Sequence, residues 1–442
     1  MQLTIHRGTR EIGGTCIEVS TSNSRMLLDV GLPLFDSNRQ PLDSRPLRSL
    51  STPALIRSGM LPSIPGLYDG KSPPAAILLS HAHQDHCGLL DRSFPEIPVY
   101  ATTGTSKMML AGSLFARQIR IPRERFHELR PKIPTRIGDF HVTPLAVDHS
   151  IFGAIAMLVE AEGQSLLYSG DLRLHGRKPQ MEKILVETIQ EKNLDVLLME
   201  GTLFGIPEIE KLNEYQLEDQ LVTHINEASG LVLASFSPQH VDRLVGLIRA
   251  CLKSGRTFVA DAYTAFVLRL IASETRVPVP GRDNDLPVFF PSSLWQDEAK
   301  RKMLAEKCPE FQAARIEMPQ ILARPQNYVM AFRGSMLDGD FGGTLPPGVV
   351  CLHSRWEGYL EKPDAQPWLQ ALERAHGKLV QLHTSGHILP QDIVGFVNSL
   401  HPRTVIPVHT FVPEEFAATL SNVRVLRDGE QVHLAELSSS SY

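Results

Sequence analysis

Paired cysteines, a signal peptide, a membrane-spanning run and a strong net charge are all missing from this 442-residue chain, and each absence removes a class of function. The five cysteines, Cys16, Cys87, Cys251, Cys308 and Cys351, are odd in number and scattered. They read as reduced thiols of a cytoplasmic protein, not as a secreted disulfide framework. The amino-terminal Met-Gln-Leu-Thr-Ile-His-Arg lacks the apolar core of a signal peptide, and no apolar run is long enough to span a bilayer, so neither secretion nor a membrane partner is expected. A net charge of −5 gives no global attraction to a polyanion; nucleic acid would need a local basic surface or bound cations. Hydrophobic content of 42% and charged content of 21% are ordinary for a soluble globular protein. The length exceeds what one core usually serves, which implies two domains or one domain with a large insertion.

What is present is concentrated in one stretch. Ala76, Ile77, Leu78 and Leu79 read as a buried strand that breaks into His81, His83, Asp85, His86 and then Gly88. A lone histidine beside an apolar strand is ordinarily a satisfied core or surface residue. Four ligand-type side chains within the six residues 81–86 are not so explained, because a solvated loop has no reason to concentrate imidazoles. Imidazole with carboxylate suits zinc, manganese or iron, and two such ions a few ångströms apart can activate a water between them. Cys87 beside His86 reads as a small buried residue beneath the loop, not as a ligand.

The pattern His-x-His-x-Asp-His resembles the signature of the metallo-β-lactamase fold, an αβ/βα sandwich with a two-metal centre. Before it, Leu3 and Ile5, then Cys16, Ile17 and Val19, then Met26 to Leu28 outline a meander of three strands ending in Asp29. The resemblance implies that Asp29 braces the metal loop by hydrogen bonds. Residues 32–75 show no sustained period and suggest a long loop with short helical pieces. Helical spacing runs through residues 105–120. Arg117, Arg120, Arg123, Arg125, Arg130, Lys132 and Arg136 follow, as a solvated face or as a phosphate-binding surface.

The strand-then-ligand device then recurs. Residues 141–147 deliver Asp148 and His149, Leu166 to Tyr168 deliver Asp171, and Asp195 to Met199 deliver Glu200. From about residue 205 the texture changes to an acidic helix over 207–228, a strand at 231–235, a helix at 241–252, a strand at 257–260 and a helix at 263–272. This is the rhythm of a parallel α/β domain, with Ser237 just past the end of its first strand. The device returns with a strand at 379–382 into His383, Ser385 and His387, a helix at 392–400, and a strand at 405–408 into His409.

Taken in order, these motifs resemble the β-CASP nucleases, the group that includes RNase J, the messenger-RNA 3′-end cleavage endonuclease and Artemis-type DNA nucleases. Phe236-Ser237 with Arg243 six residues on, then Gly255-Arg256 before a strand, also look like the family's inserted domain. The resemblance implies an α/β protein in which residues 1–204 and 376–442 form the metallo-β-lactamase sandwich and 205–375 the inserted α/β β-CASP domain. By position it implies that His81, His83 and His149 hold one divalent ion and Asp85, His86 and His409 the other, with Asp171 bridging. The ions are zinc, with manganese as the alternative. Glu200 and His387 match the family's catalytic pair, with Asp85 counted beside them, and Ser237, His383 and Ser385 match positions facing substrate phosphates. The implied activity is a two-metal phosphodiesterase, endo- or exonucleolytic, acting on single-stranded RNA. RNA ranks ahead of DNA because position 409 is usually histidine in RNA-processing members and valine in the DNA-repair branch.

Two departures stand out. The loop reads His-Ala-His-Gln where RNase J tends toward His-Gly-His-Glu, and the serine tail soon after the core leads us to expect no counterpart of the further domain typical of RNase J. A homo-oligomer is left open. A small-molecule hydrolase of lactamase or glyoxalase type is the alternative in another class, though it has no need of the inserted domain.

Overall fold

In the computed structural model, β1 (Gln2–Arg7), β2 (Cys16–Ser20) and β3 (Arg25–Leu28) form the antiparallel meander with which the chain begins. Next to β3, β4 (Ala76–Leu78), β5 (Val99–Ala101) and β6 (Phe126–Glu128) extend the same sheet in parallel. A second meander follows in β7 (Thr135–Ile137), β8 (Phe140–Ala146), β9 (Ile155–Ala161) and β10 (Gln164–Tyr168), after which β11 (Val196–Glu200) joins β10 in parallel. The structure describes residues 1–206, 211–282 and 286–438.

A third sheet is wholly parallel and comprises β12 (Val232–Ser235), β13 (Thr257–Asp261), β14 (Val288–Phe289), β15 (Tyr328–Ala331), β16 (Val350–His353) and β17 (Lys378–Gln381), in the spatial order β14-β13-β15-β12-β16-β17. The chain then returns to the earlier sheets. β18 (Thr404–Val408) lies parallel to β11, and β19 (Gln431–His433) closes the edge of the first sheet against β1.

Two compact units result, Met1–Lys211 with Gly386–Tyr442, and Leu212–Ser385. In the first unit, Leu3, Ile5 and Ile17 of one sheet and Val142, Met157, Leu166, Val196 and Ile406 of the other share a single core. The second sheet's outer face, Leu158, Leu167, Leu197 and Val405, is covered by Leu185 and Ile189 of the helix Pro179–Gln190 and by Ile393, Phe396 and Val397 of the helix Pro390–Leu400. β10, β11 and β18 are therefore buried on both faces, which is why they read as continuous apolar runs and not as alternating ones. Each such Leu, Ile or Val contributes on the order of 1.5–3 kcal/mol by leaving water. In the second unit Leu231, Leu233, Val259, Met330, Cys351 and Trp368 make a separate core.

Several elements differ from the sequence reading. The units divide at 211/212 and 385/386, not at 204/205 and 375/376. β17 lies beyond the expected point of return because its edge is taken by β16, in register Val350 to Lys378 through His353 to Gln381. The helix expected over 105–120 spans Thr103–Phe115, and the chain turns left-handed at Arg117 (φ 53°). The acidic helix spans Glu214–Glu227, opened by an Asn213 capping box; residues 207–210 lie outside the described residues. Among the described residues no helix is long and apolar enough to cross a membrane.

Candidate metal centre

The ligand-rich loop is held from beneath by backbone. β3 ends at Leu28, and Asp29 adopts a left-handed conformation (φ 62°), which a short polar side chain tolerates when it bonds locally. The strand direction then carries Val30 to Leu32 under the loop. Val30 N–H donates to His86 O (2.9 Å), Leu32 N–H to Gln84 O (2.8 Å) and Thr15 N–H to Asp85 O (3.2 Å). Gly31 is required by this contact, because a Cβ there would lie 1.7 Å from the Asp85 carbonyl oxygen.

The fully buried Asp29 carboxylate accepts four hydrogen bonds: from Ser80 N–H (2.8 Å), Ser80 Oγ (2.7 Å), His86 Nδ1 (2.8 Å) and Tyr168 Oη (2.8 Å). These bonds set the tautomers above them. The Ser80 hydroxyl spends its one proton on Asp29, so His81 Nδ1, 3.0 Å from Ser80 Oγ, must donate to it, leaving Nε2 as the lone-pair nitrogen. His86 likewise has Nδ1 committed to Asp29, and His149 donates Nδ1–H to Gly386 O (2.5 Å).

The freed nitrogens converge. His83 Nδ1 lies 3.1 Å from His81 Nε2 and 3.0 Å from His149 Nε2. A tetrahedral ion with bonds of about 2.05 Å spaces its nitrogen ligands by roughly 3.3 Å, so three lone pairs at this separation fit a cation. The ligand atoms of His81, His83, His149 and Asp171 all lie within 4.8 Å of one another. So do those of Asp85, His86, Asp171 and His409, and those of Asp171, Glu200, His387 and His409.

Asp171 is common to all three groups. Its Oδ2 is 3.2 Å from His86 Nε2, 3.6 Å from His81 Nε2, 3.7 Å from His387 Nδ1 and 4.0 Å from His149 Nε2, and its Oδ1 is 3.7 Å from His409 Nδ1. Yet the residue is only 1% exposed, and neither oxygen receives a hydrogen bond of acceptable geometry. A buried carboxylate with no donor, ringed by imidazole nitrogens, is strongly destabilised unless cations complete it. The donor set therefore fits two divalent ions sharing Asp171.

For the first set of imidazoles the electrostatics agree. Burial, and then the neighbouring imidazoles, hold His81 and His149 well below the usual histidine range; burial lowers His83 to about 4 against the pull of Asp85 and Asp171. All three rings are thus neutral, as ligands must be. Burial opposes charge on His86 too, but Asp171 and Asp29 outweigh it and raise its pKa.

Glu200, 1% exposed at the end of β11, accepts from Leu172 N–H (2.9 Å) and faces His387 Nδ1 at 3.0 Å. Burial pulls His387 down, but Glu200 and then Asp171 lift it to about 9.

The three residues matched to substrate phosphates, Ser237, His383 and Ser385, lie in the second unit and are not among the converging groups. Ser237 O accepts from His240 N–H (3.0 Å) where the helix Val241–Lys253 begins. His383 sits beside fully buried Arg243, which bonds Glu214 Oε1 (3.1 Å), the Ser354 hydroxyl and Leu382 O. Burial, with Arg243 and His240, lowers His383 to about 3. In the basic run, Arg120, Arg123, Arg130, Lys132 and Arg136 are exposed. Arg125 instead is buried and donates to Ile97 O and Ser93 Oγ (2.9 Å), a structural clamp. Cys87 is buried and outside the converging groups. The sequence reading missed Ser80 and Tyr168; the only signal was their place in the Leu-Leu-Ser-His and Tyr-Ser-Gly-Asp runs.

With this geometry in view, residues 49–232 match the beta-lactamase superfamily domain. The chain is 23% identical over 401 residues to a ribonuclease J of Sinorhizobium meliloti, covering 85% of this chain and 66% of that one. It is 25% identical over 364 residues to a ribonuclease J of Mycobacterium tuberculosis (79% and 61%), and 24% identical over 431 residues to one of Pyrococcus abyssi (91% and 88%). The chain thus spans about two thirds or less of the length of the first two relatives. A solved structure of a protein of unknown function from Enterococcus faecalis V583 superposes with a TM-score of 0.77 at 24% identity, covering 98% of this chain and 99% of that one.

Proposed function

We propose, from the premise that this chain is a ribonuclease J-like protein with the metallo-β-lactamase fold, that it is a two-metal phosphodiesterase that hydrolyses single-stranded RNA in the cytoplasm. The observation that carries the proposal is Asp171, a buried carboxylate without a hydrogen-bond donor between two sets of imidazoles. His81, His83 and His149 would hold one ion, Asp85, His86 and His409 the other, with Asp171 shared. Zinc suits the three-imidazole set best, with manganese as the alternative. Such ions supply Lewis acidity at a phosphate oxygen and lower the pKa of a neighbouring water.

The rest of the work falls to the chain. Glu200 fixes His387 through Nδ1, so Nε2 is the atom through which the ring would pass a proton to the oxygen leaving phosphorus. Metal-free, the ring is held protonated to about pH 9; nearby divalent charge would lower that value toward neutrality, where donation is easiest. Asp29, Ser80 and Gly31 keep the loop from moving as charge shifts.

RNA is preferred to DNA because of His409 and because the relatives are ribonucleases J. A single strand is favoured because His81, His86, Asp171 and His409 are at most 1% exposed, and a flexible backbone reaches such groups where a stacked duplex does not. The test uses end-labelled RNA and DNA of one sequence, with and without chelator. RNA cleavage that chelator abolishes is expected, with a loss on the order of a hundredfold or more in Asp171→Ala. Absence of metal from folded protein never exposed to chelator would overturn the reading. DNA cut faster than RNA would overturn only the choice of substrate.

A further inference from the structure

We infer that Thr202 is a positioning residue that fixes the tautomer of His409, holding the proton on Nδ1 and turning the lone pair of Nε2 toward Asp85. The inference rests on the metal centre proposed above and concerns a residue that the ligand pattern does not include.

The placement follows from strand register. β11 and β18 run in parallel with Glu200 opposite Val408, so both chains leave the sheet at the same level. Gly201 N–H extends the ladder to Val408 O (3.1 Å). A Cβ on Gly201 would meet the Phe416 ring at 2.5 Å and Thr410 Cβ at 3.1 Å, so the step between the strands is too narrow for a side chain. His409 turns left-handed (φ 53°) while its N–H donates to Gly8 O (2.7 Å). The first residue past each strand end that can carry a polar side chain inward is therefore Thr202 on one side and His409 on the other.

Thr202 Oγ1 lies 2.7 Å from Glu200 Oε2 and 2.8 Å from His409 Nδ1. A hydroxyl owns one proton and can accept others, whereas a carboxylate can only accept. The Thr202 proton therefore goes to Glu200, and Nδ1 of His409 must bring its own proton to Thr202. That leaves Nε2, 3.3 Å from Asp85 Oδ2, as the lone-pair nitrogen, while the protonated Nδ1 lies 3.7 Å from Asp171 Oδ1. Ser80 performs the same service for His81 by the same proton count, so each ligand set has one imidazole oriented by a hydroxyl that is itself anchored to a carboxylate. Thr202 has a second consequence. The carboxylate it anchors to is the partner of His387, so one hydroxyl ties a ligand of the second ion to the proton-carrying pair.

The full-length protein would be stripped of metal by dialysis, then titrated with cobalt(II) and with zinc(II) in the absence of nucleic acid, comparing wild type, Thr202→Val and Thr202→Ser. Valine keeps the shape and removes both hydrogen bonds; serine keeps both and removes only a methyl. The expected result is that T202V binds one ion as wild type does and the second about 10- to 100-fold more weakly, the usual effect of losing such a partner, while T202S stays within about threefold of wild type. Two ions held as tightly in T202V as in wild type would overturn the inference. So would T202S failing alongside T202V, since the methyl would then be what matters. If T202V does not fold, histidine-selective nitrogen-15 spectra of zinc-loaded wild type decide: a protonated Nδ1 on His409, assigned by its disappearance in His409→Gln, is expected, and a metallated Nδ1 there would refute it. Because no substrate is present, failure of the proposed reaction would appear separately, as wild type that binds metal and cleaves nothing.

Discussion

Asp29→Ala is the most severe test of how the centre is held. The carboxylate takes four hydrogen bonds while fully buried, three on Oδ2 and one on Oδ1. Deleting it strands a backbone N–H, two hydroxyls and an imidazole N–H. Each buried donor left unpaired costs about 1–3 kcal/mol, partly relieved if water enters the cavity. Alanine also lacks the local bonding that eases a φ of 62°, which adds about 1 kcal/mol. The sum, roughly 5–13 kcal/mol before any relief by water, is comparable with a domain's whole stability. Asp29→Asn is the control. Asparagine tolerates the left-handed backbone, and its oxygen can replace Oδ2 and keep three of the bonds, so the cost falls to roughly 1–3 kcal/mol. Thermal melts should place D29A about 10 °C or more below wild type and D29N a few degrees below. Metal retained after dialysis should be lowest in D29A, because His81 and His86 lose the groups that orient them. D29A melting with wild type and keeping its metal would mean that the network does not support the loop.

Three further outcomes follow from the same geometry. In Gly31→Ala the new methyl needs the space 1.7 Å from Asp85 O, so the loop must move; metal content should fall by analysis of the purified variant even where circular dichroism is unchanged. His383, lowered to about 3 when folded against about 6.5 unfolded, contributes stability that is complete above pH 6.5 and lost as pH falls toward 3; between pH 6.5 and 5, urea unfolding should show wild type losing up to about 2 kcal/mol more than His383→Gln. Exposed Arg120 and Arg123, changed together to glutamate, should weaken oligonucleotide binding and flatten its salt dependence with the melt unchanged, whereas Arg125→Ala should lower the melt.

The sequence discloses the candidate ligands more readily than their supports, for a physical reason. His81, His83, Asp85 and His86 fall within six residues, and Asp171 and His409 each follow an apolar strand, so local pattern alone suggests them. Their supports depend on which strand lies beside which. Ser80 and Thr202 look like ordinary polar residues until the register sets one against Asp29 and the other against His409. β17 resembles the other buried strands, and nothing within Leu379 to Leu382 says that its neighbour is β16 and not the earlier sheets. Arg125 is likewise one cation in a run of seven until its guanidinium is found inside, capping Ile97 O. The fold class was accessible because strand-end motifs recur in a fixed order; the unit boundaries were not, because they depend on edge pairing.

The last segment of the chain has a bearing on how the protein is made. Gly386 orients His149, His387 pairs with Glu200, and His409 completes the second ligand set, while β18 and β19 fill positions beside β11 and β1. Synthesis runs from the amino end, so a nascent chain carries His81 through Asp171 long before these partners leave the ribosome. During that interval the first imidazoles, Asp85, His86 and Asp171 are present, but His387 and His409 are not. The second ligand set and the Glu200–His387 pair are therefore completed only once residues 387–409 have been made.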